Sequence, residues 1–273
     1  MQHKKLAFIG AGNMTRSIIS GLIHSGYPAD HILASNPSMP KLEKLEHDFG
    51  IKITQSNDDA CQFADAIVLA VKPQIMGDMC AALQQNNNLE GKLFLSIAAG
   101  LTVARLQEML GGAHPVVRIM PNTPSLLGKG MSGMFADSNV SEADRHYVDD
   151  VMGSVGETIW VDNEEEINGV IAAAGSSPAY FFLFLQAMQE EAMQLGFDKD
   201  DARLMVQQAM LGAAEMVCQN PELELSELRA QVTSKGGTTA AAVNTLIDQG
   251  LEKIVSKAMQ AAVARADEMA KQL

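Results

Sequence analysis

One stretch near the start of the chain, Leu6-Ala7-Phe8-Ile9-Gly10-Ala11-Gly12-Asn13-Met14, restricts the possible folds more than any other. A short apolar run enters Gly-x-Gly. An amphipathic stretch carrying Ile18, Ile19, Leu22 and Ile23 then runs to Gly26. An apolar run without alternation reads as a strand covered on both faces. The glycines let the backbone turn tightly and approach a phosphate closely, and a helix N-terminus stabilises the anion. Strand, glycine turn, helix and a further strand at 32–35 are together the setting of a dinucleotide-binding turn, which a lone Gly-x-Gly is not. Thr15 takes the third small position of that motif and is expected to crowd helix against strand.

The same alternation continues. Apolar runs recur at 6–9, 32–35, 51–54, 66–71, 93–98, 116–120 and 158–161, with helical patterns such as 39–49 and 102–110 between them. This predicts an α/β domain, a doubly wound, mostly parallel sheet with helices on both faces. After Asp162 strand patterns stop and helical periodicity takes over, broken at Gly175-Ser176-Ser177-Pro178, Gly196-Phe197-Asp198, Pro221 and Gly236-Gly237. Two domains are expected, a Rossmann domain at 1–162 and an all-α domain at 163–273. The first helix of the second domain is read as running from 164 to 195. It is apolar nearly all round, which predicts burial between subunits, with core packing within one chain as the competing account.

The chain has 273 residues, 47% of them hydrophobic, and a formal net charge of −13. That charge argues against nucleic acid or an anionic membrane as the main partner. No apolar run is read as long enough to span a membrane, and Met1-Gln2-His3-Lys4-Lys5 leads straight into the first strand, with no signal peptide expected. Cys61, Cys80 and Cys218 lie far apart without metal-ligand spacing, as expected of inert thiols in a reducing cytoplasm. The six histidines form no His-x-x-x-His pair, so no metal is expected.

The chemistry follows from the strand ends, where such sheets bind ligands. A NAD-selecting fold carries Asp or Glu after the second strand. Here Ser35-Asn36-Pro37 offers small donors and no carboxylate to repel a 2′-phosphate, which favours NADP over NAD. Lys72 and Pro73 close the fourth strand, and the small residues of Ser96-Ile97-Ala98-Ala99-Gly100 leave room for a flat ring. Near the C-terminus, Val232-Thr233-Ser234-Lys235-Gly236-Gly237-Thr238-Thr239 sets two hydroxyls and free N–H groups at a helix start, a seat for a carboxylate or else a simple helix cap. The helical domain has no histidine, so proton work falls to hydroxyls such as Thr238, Thr239, Ser176 or Tyr180. Weak acids suit a C=N bond, whose iminium form already carries its proton, better than a ketone.

Together these residues resemble the pyrroline-5-carboxylate reductase family nearly end to end. The resemblance rests on Phe8–Met14, Ala70-Val71-Lys72-Pro73, 96–100, Met120-Pro121-Asn122-Thr123-Pro124, Gly175-Ser176-Ser177-Pro178-Ala179-Tyr180 and Ser234–Thr239. It implies NAD(P)H-dependent reduction of 1-pyrroline-5-carboxylate to L-proline, the last step of proline biosynthesis, by a cytoplasmic homodimer or higher homo-oligomer. It implies cofactor contacts at Ile9, Gly10, Ala11, Gly12, Asn13, Met14, Ser35, Asn36, Pro37, Asn57, Ala70, Val71, Lys72, Pro73, Ala98, Ala99 and Gln231. It implies a substrate site at Glu164, Gly237, Thr238 and Thr239, with Thr239 as the catalytic hydroxyl. Lys235 stands where the family has Pro, which leaves the loop less rigid. A β-hydroxyacid dehydrogenase shares the two-domain plan but resembles its relatives in a catalytic lysine on the long helix, where this chain has Phe, Leu, Gln and Glu. A non-catalytic NADP sensor would keep the Gly10–Met14 turn without needing the threonine loop.

Overall fold

The computed structural model describes residues 3–272; Met1, Gln2 and Leu273, and with them the start of the N-terminal reading, lie outside the described residues. Strand β1 (Leu6–Ile9) is buried throughout and serves two cores at once. Leu6 and Phe8 pack with Ile18, Ile19 and Leu22 of α1 (Asn13–His24) and with Leu42 and Leu45 of α2 (Met39–Phe49). Ala7 and Ile9 pack on the other side with Ala60 and Cys61 of α3 (Asn57–Phe63), Met76 and Cys80 of α4 (Pro73–Asn86), and Leu106 of α5 (Val103–Leu110). Side chains alternate across a strand, so a run apolar at every position needs helices on both faces.

β1 pairs in parallel with β2 (Ile32–Ser35) and with β4 (Ala66–Leu69). The sheet continues through β3 (Lys52–Thr54), β5 (Leu93–Ser96), β6 (Val116–Met120), β7 (Gly130–Ala136) and β8 (Gly156–Trp160) in the order β3-β2-β1-β4-β5-β6-β7-β8. Every neighbouring pair is parallel except β6–β7. The chain reverses direction across the sheet between β1 and β4, which opens a crevice at their carboxyl ends. Strand β7 is the element that periodicity missed, and it makes the sheet mixed. α6 (Glu142–Gly153) connects it to β8.

The helix read from 164 to 195 is broken at the Gly175-Ser176-Ser177-Pro178 interruption that the sequence marks. α7 (Glu166–Val170) passes into a π-turn at Ile171–Gly175, where Ser176 N–H donates to the Ile171 carbonyl at 2.8 Å, and α8 (Ser177–Gln194) begins anew with Pro178 in its first turn. The residues divide into two compact units, 3–176 with 262–272, and 177–261. This division falls later than the change of composition at Asp162, because α7 packs on β7. A Cβ on Gly133 would lie 2.6 Å from Val170 Cγ2, so only glycine admits that approach.

The second unit holds α8, α9 (Lys199–Gln219), α10 (Leu225–Gln231), α11 (Thr238–Asp248) and the first part of α12 (Leu251–Gln272). α8, α11 and α12 bury none of their side chains fully within the chain. By length and composition 166–194 is apolar enough to cross a membrane, contrary to the reading that no apolar run is long enough to do so.

Candidate functional site

A cleft of about 530 Å³ lies along the carboxyl ends of β1, β2 and β4, a size suited to a small-molecule ligand. Of the expected cofactor residues it is lined by Ile9, Gly10, Ala11, Gly12, Ser35, Asn36, Pro37, Asn57, Ala70, Val71 and Lys72. Gly10 has φ +111, and a Cβ there would sit 2.5 Å from the Ala70 carbonyl oxygen. The turn therefore closes only with glycine, on both conformation and space. At Gly12 a Cβ would meet nothing within 4 Å, so this side of the turn is open. Gly12 is the N-cap of α1 and brings no side-chain cap, leaving the first N–H groups of that helix for a ligand. An anionic dinucleotide fits this donor set: a free helix N-terminus, a glycine approach and Lys72.

Asn13 and Met14 open α1 and Pro73 opens α4, so what they can offer is the backbone of those first turns; neither they nor Ala98 line the cleft. Gln231 ends α10 in the helical unit, and is exposed. Four residues that sequence reasoning missed complete the lining: Lys41 on α2, and Ile75, Asp78 and Met79 on α4. Only their helical spacing from Pro37 and Lys72 signals them.

The expected crowding at Thr15 does not occur. Thr15 is 1% exposed, and its hydroxyl donates to the Gly10 carbonyl at 2.8 Å. The branched side chain ties helix α1 to the glycine turn. The Ser35-Asn36-Pro37 turn is also fixed from within. Ser35 Oγ donates to Asn57 Oδ1 at 2.7 Å, Asn36 Oδ1 accepts from Ala11 N–H at 3.3 Å, and Gln55 Nε2 donates to the Pro37 carbonyl at 2.7 Å.

A second hollow of about 220 Å³ opens at the ends of β5 and β6, lined by Ala99, Gly100, Arg118, Met120, Asn168, Ile171, Ser176 and, from α12, Arg265 and Met269. Glu164 lines a neighbouring hollow of about 410 Å³ that shares Arg118 and Asn168 with it. Its Oε1 accepts from Arg118 Nη1 at 3.0 Å and from Val103 N–H, at the start of α5, at 2.8 Å. With side chains 6% and 19% exposed, Arg118 and Glu164 form a largely buried pair. One oxygen of the carboxylate expected to hold substrate is thus already engaged, and it positions the β6 end and the α5 N-terminus.

The threonine loop belongs to the other unit. Gly237 is the N-cap of α11, and Thr238 and Thr239 are its first residues. The helix-cap reading of these threonines therefore fails. Among the described residues neither hydroxyl makes a hydrogen bond, and both threonines are exposed. Gly236, at φ +75, makes the turn before them. Of the other hydroxyls considered, Ser176 lines the second hollow, while Tyr180 Oη is buried without a hydrogen-bond partner. Burial holds the Cys80 thiol pKa up to about 12 and raises that of Cys61, so both stay protonated and inert; Cys218 is exposed.

Residues 164–269 match the family model described as pyrroline-5-carboxylate reductase dimerisation, and residues 5–100 match that described as NADP oxidoreductase coenzyme F420-dependent. The chain is similar to a pyrroline-5-carboxylate reductase of Vibrio alginolyticus, 58% identical over 99% of both chains, and to one of Pseudomonas aeruginosa, 44% identical over 100% of this chain and 99% of the other. Among solved structures it resembles a pyrroline-5-carboxylate reductase from Coxiella burnetii, with a TM-score of 0.94 and 40% identity over 98% of this chain and 99% of that one. It also resembles the Plasmodium falciparum pyrroline carboxylate reductase with NADP bound, with a TM-score of 0.86 and 28% identity over 99% of both chains.

Proposed function

The chain belongs to the pyrroline-5-carboxylate reductase family, and from that premise we propose which of its residues carry the reaction. The protein is an NAD(P)H-dependent oxidoreductase that reduces the C=N bond of 1-pyrroline-5-carboxylate to give L-proline. When bound, the nicotinamide supplies the hydride taken up by the imine carbon, while the C=N π pair becomes the nitrogen lone pair. The reactive iminium brings its own proton, so a hydroxyl near the nitrogen suffices.

In this reading the 1–162 domain binds the cofactor through the Gly10–Gly12 turn, the Ser35–Pro37 turn, Asn57 and 70–73, with Ala98 and Ala99 toward the ring. The 163–273 domain supplies substrate binding and dimerisation. Gly237 and Thr238 hold the substrate carboxylate at the start of α11, and Thr239 sets its hydroxyl near the imine nitrogen. Glu164 acts through Arg118 and the α5 N-terminus. One observation carries this assignment: two free threonine hydroxyls stand on a helix start that no side chain caps. An anion there gains both N–H donors and the helix dipole. NADPH is preferred to NADH. The protein is a homo-oligomer; the proposed unit is a homodimer, itself able to assemble further, in the cytoplasm.

The test is NADPH oxidation by the purified chain against a panel of cyclic imines and 2-oxo acids. Turnover with pyrroline-5-carboxylate and none with the oxo acids is the expected result. Oxidation of NADPH only with oxo acids would overturn the reading.

A further inference from the structure

Sequence alone suggests that Ser35 and Asn36 admit the 2′-phosphate of NADPH as hydrogen-bond donors. The structure removes Ser35 from that role and leaves Asn36 a single amide N–H. Ser35 is fully buried and its hydroxyl is donated to Asn57 Oδ1. The Asn36 amide is held at both ends, by Ala11 N–H on Oδ1 and by the Ser38 carbonyl, which accepts from Nδ2 at 3.3 Å. The turn thus presents no carboxylate and, as a free side-chain donor of its own, only the second N–H of Asn36 Nδ2. A doubly charged phosphate needs more than the absence of repulsion.

The next element supplies it. Ser38 is the N-cap of α2, yet its side chain makes no cap hydrogen bond. Lys41, one turn on, is exposed and lines the cleft beside Asn36 and Pro37. Its ammonium takes part in no ion pair or hydrogen bond among the described residues. The other charged groups of the cleft, Lys72 and Asp78, belong to the far side, at and beyond the end of β4. Since β2 and β4 flank β1 on opposite sides, Lys41 is the cation on the β2 side, where the ribose hydroxyls of a dinucleotide lie.

We propose that Lys41 reads the 2′-phosphate and sets the preference for NADPH, with the Ser38 hydroxyl as its neighbouring donor. This rests on the cofactor reading above. An exposed lysine that is merely solvated is the competing account, and it predicts no cofactor selectivity.

The two are separated by equilibrium titration of the full-length protein with NADPH and with NADH, followed by nicotinamide fluorescence without substrate. Lys41→Ala should raise the Kd for NADPH about tenfold and leave that for NADH within about twofold. Lys41→Arg should keep the preference, and Lys72→Ala should weaken both cofactors alike. Salt should weaken NADPH binding to the wild type more steeply than to Lys41→Ala. Adenosine 2′,5′-bisphosphate should lose affinity for Lys41→Ala while 5′-AMP should not. An unchanged NADPH/NADH ratio in Lys41→Ala, or equal weakening of both, would overturn the proposal. So would a wild type that binds NADH as tightly as NADPH, with the reductase reading left standing. A wild type that bound neither dinucleotide would overturn both.

Discussion

Thr15 spends its hydroxyl on the Gly10 carbonyl from a position nearly closed to solvent. Thr15→Val keeps the shape and removes the donor, leaving that carbonyl buried and unpaired at a cost of about 1–3 kcal/mol. It should weaken NADPH and NADH equally, as the shared turn loosens, and Thr15→Ser should restore both in the same fluorescence titration. Thr239 offers a different contrast. Thr239→Ala should lower kcat/KM about ten- to hundredfold, the worth of one hydrogen bond to a charged group, with the NADPH Kd unchanged. Thr238→Ala should act mainly on KM. Full activity of Thr239→Ala with the cyclic imine would return the site to Ser176 and Tyr180. Glu164 is tested by stability instead. Glu164→Ala strands Arg118, 5% exposed, without its carboxylate, and should cost on the order of 3 kcal/mol in chemical denaturation. A residue that only touched substrate would leave the denaturation midpoint in place. The motif residues of the glycine turn were legible in sequence because each is dictated by backbone conformation. What Ser35 and Asn36 bond to was not, since their partners Asn57 and Ala11 are distant in sequence.

At the scale of elements, β7 was hidden for a physical reason. Its sequence Gly-Met-Ser-Gly-Met-Phe-Ala contains no β-branched aliphatic residue and no clean alternation. Its glycines serve close approach. Gly156, at the start of β8, has φ +149, and a Cβ there would lie 2.0 Å from the Gly130 carbonyl oxygen, which is backbone and cannot yield. Gly156→Ala should therefore destabilise by more than the roughly 1–3 kcal/mol of ordinary overpacking, read as a loss of several degrees in Tm. An unchanged Tm would mean that β7 and β8 can separate at no cost. The buried parallel strands were legible because each is a short unbroken apolar run. The interruption at Gly175-Ser176-Ser177-Pro178 was legible as well, but the π-turn leading into it at Ile171–Gly175 was not, because Ile-Ala-Ala-Ala-Gly reads as ordinary helix up to its glycine and the tertiary hold of α7 on β7 decides the rest.

In the whole molecule, composition located the change from mixed to helical structure, but the compact division depends on contacts that composition does not encode. The apolar surface of the helical unit was legible as well. Phe182 and Leu183 of α8 are 67% and 68% exposed in the single chain. An oligomer that covers them makes Leu183→Glu cost little within one chain and much between chains. Light scattering at micromolar concentration should find the wild type as a dimer or larger, and Phe182→Glu/Leu183→Glu as a monomer with its NADPH site intact. A wild type found as a monomer would refute the assembly. The same uncovered side chains tie folding to mass action. If the faces of α8 are shielded only by a second copy, the stability of each chain is partly a property of the solution. Every tenfold dilution would remove about 1.4 kcal/mol per mole of dimer from the unfolding free energy. The melting temperature would then fall on dilution, and the cell's stock of this chain would help to set its own heat tolerance.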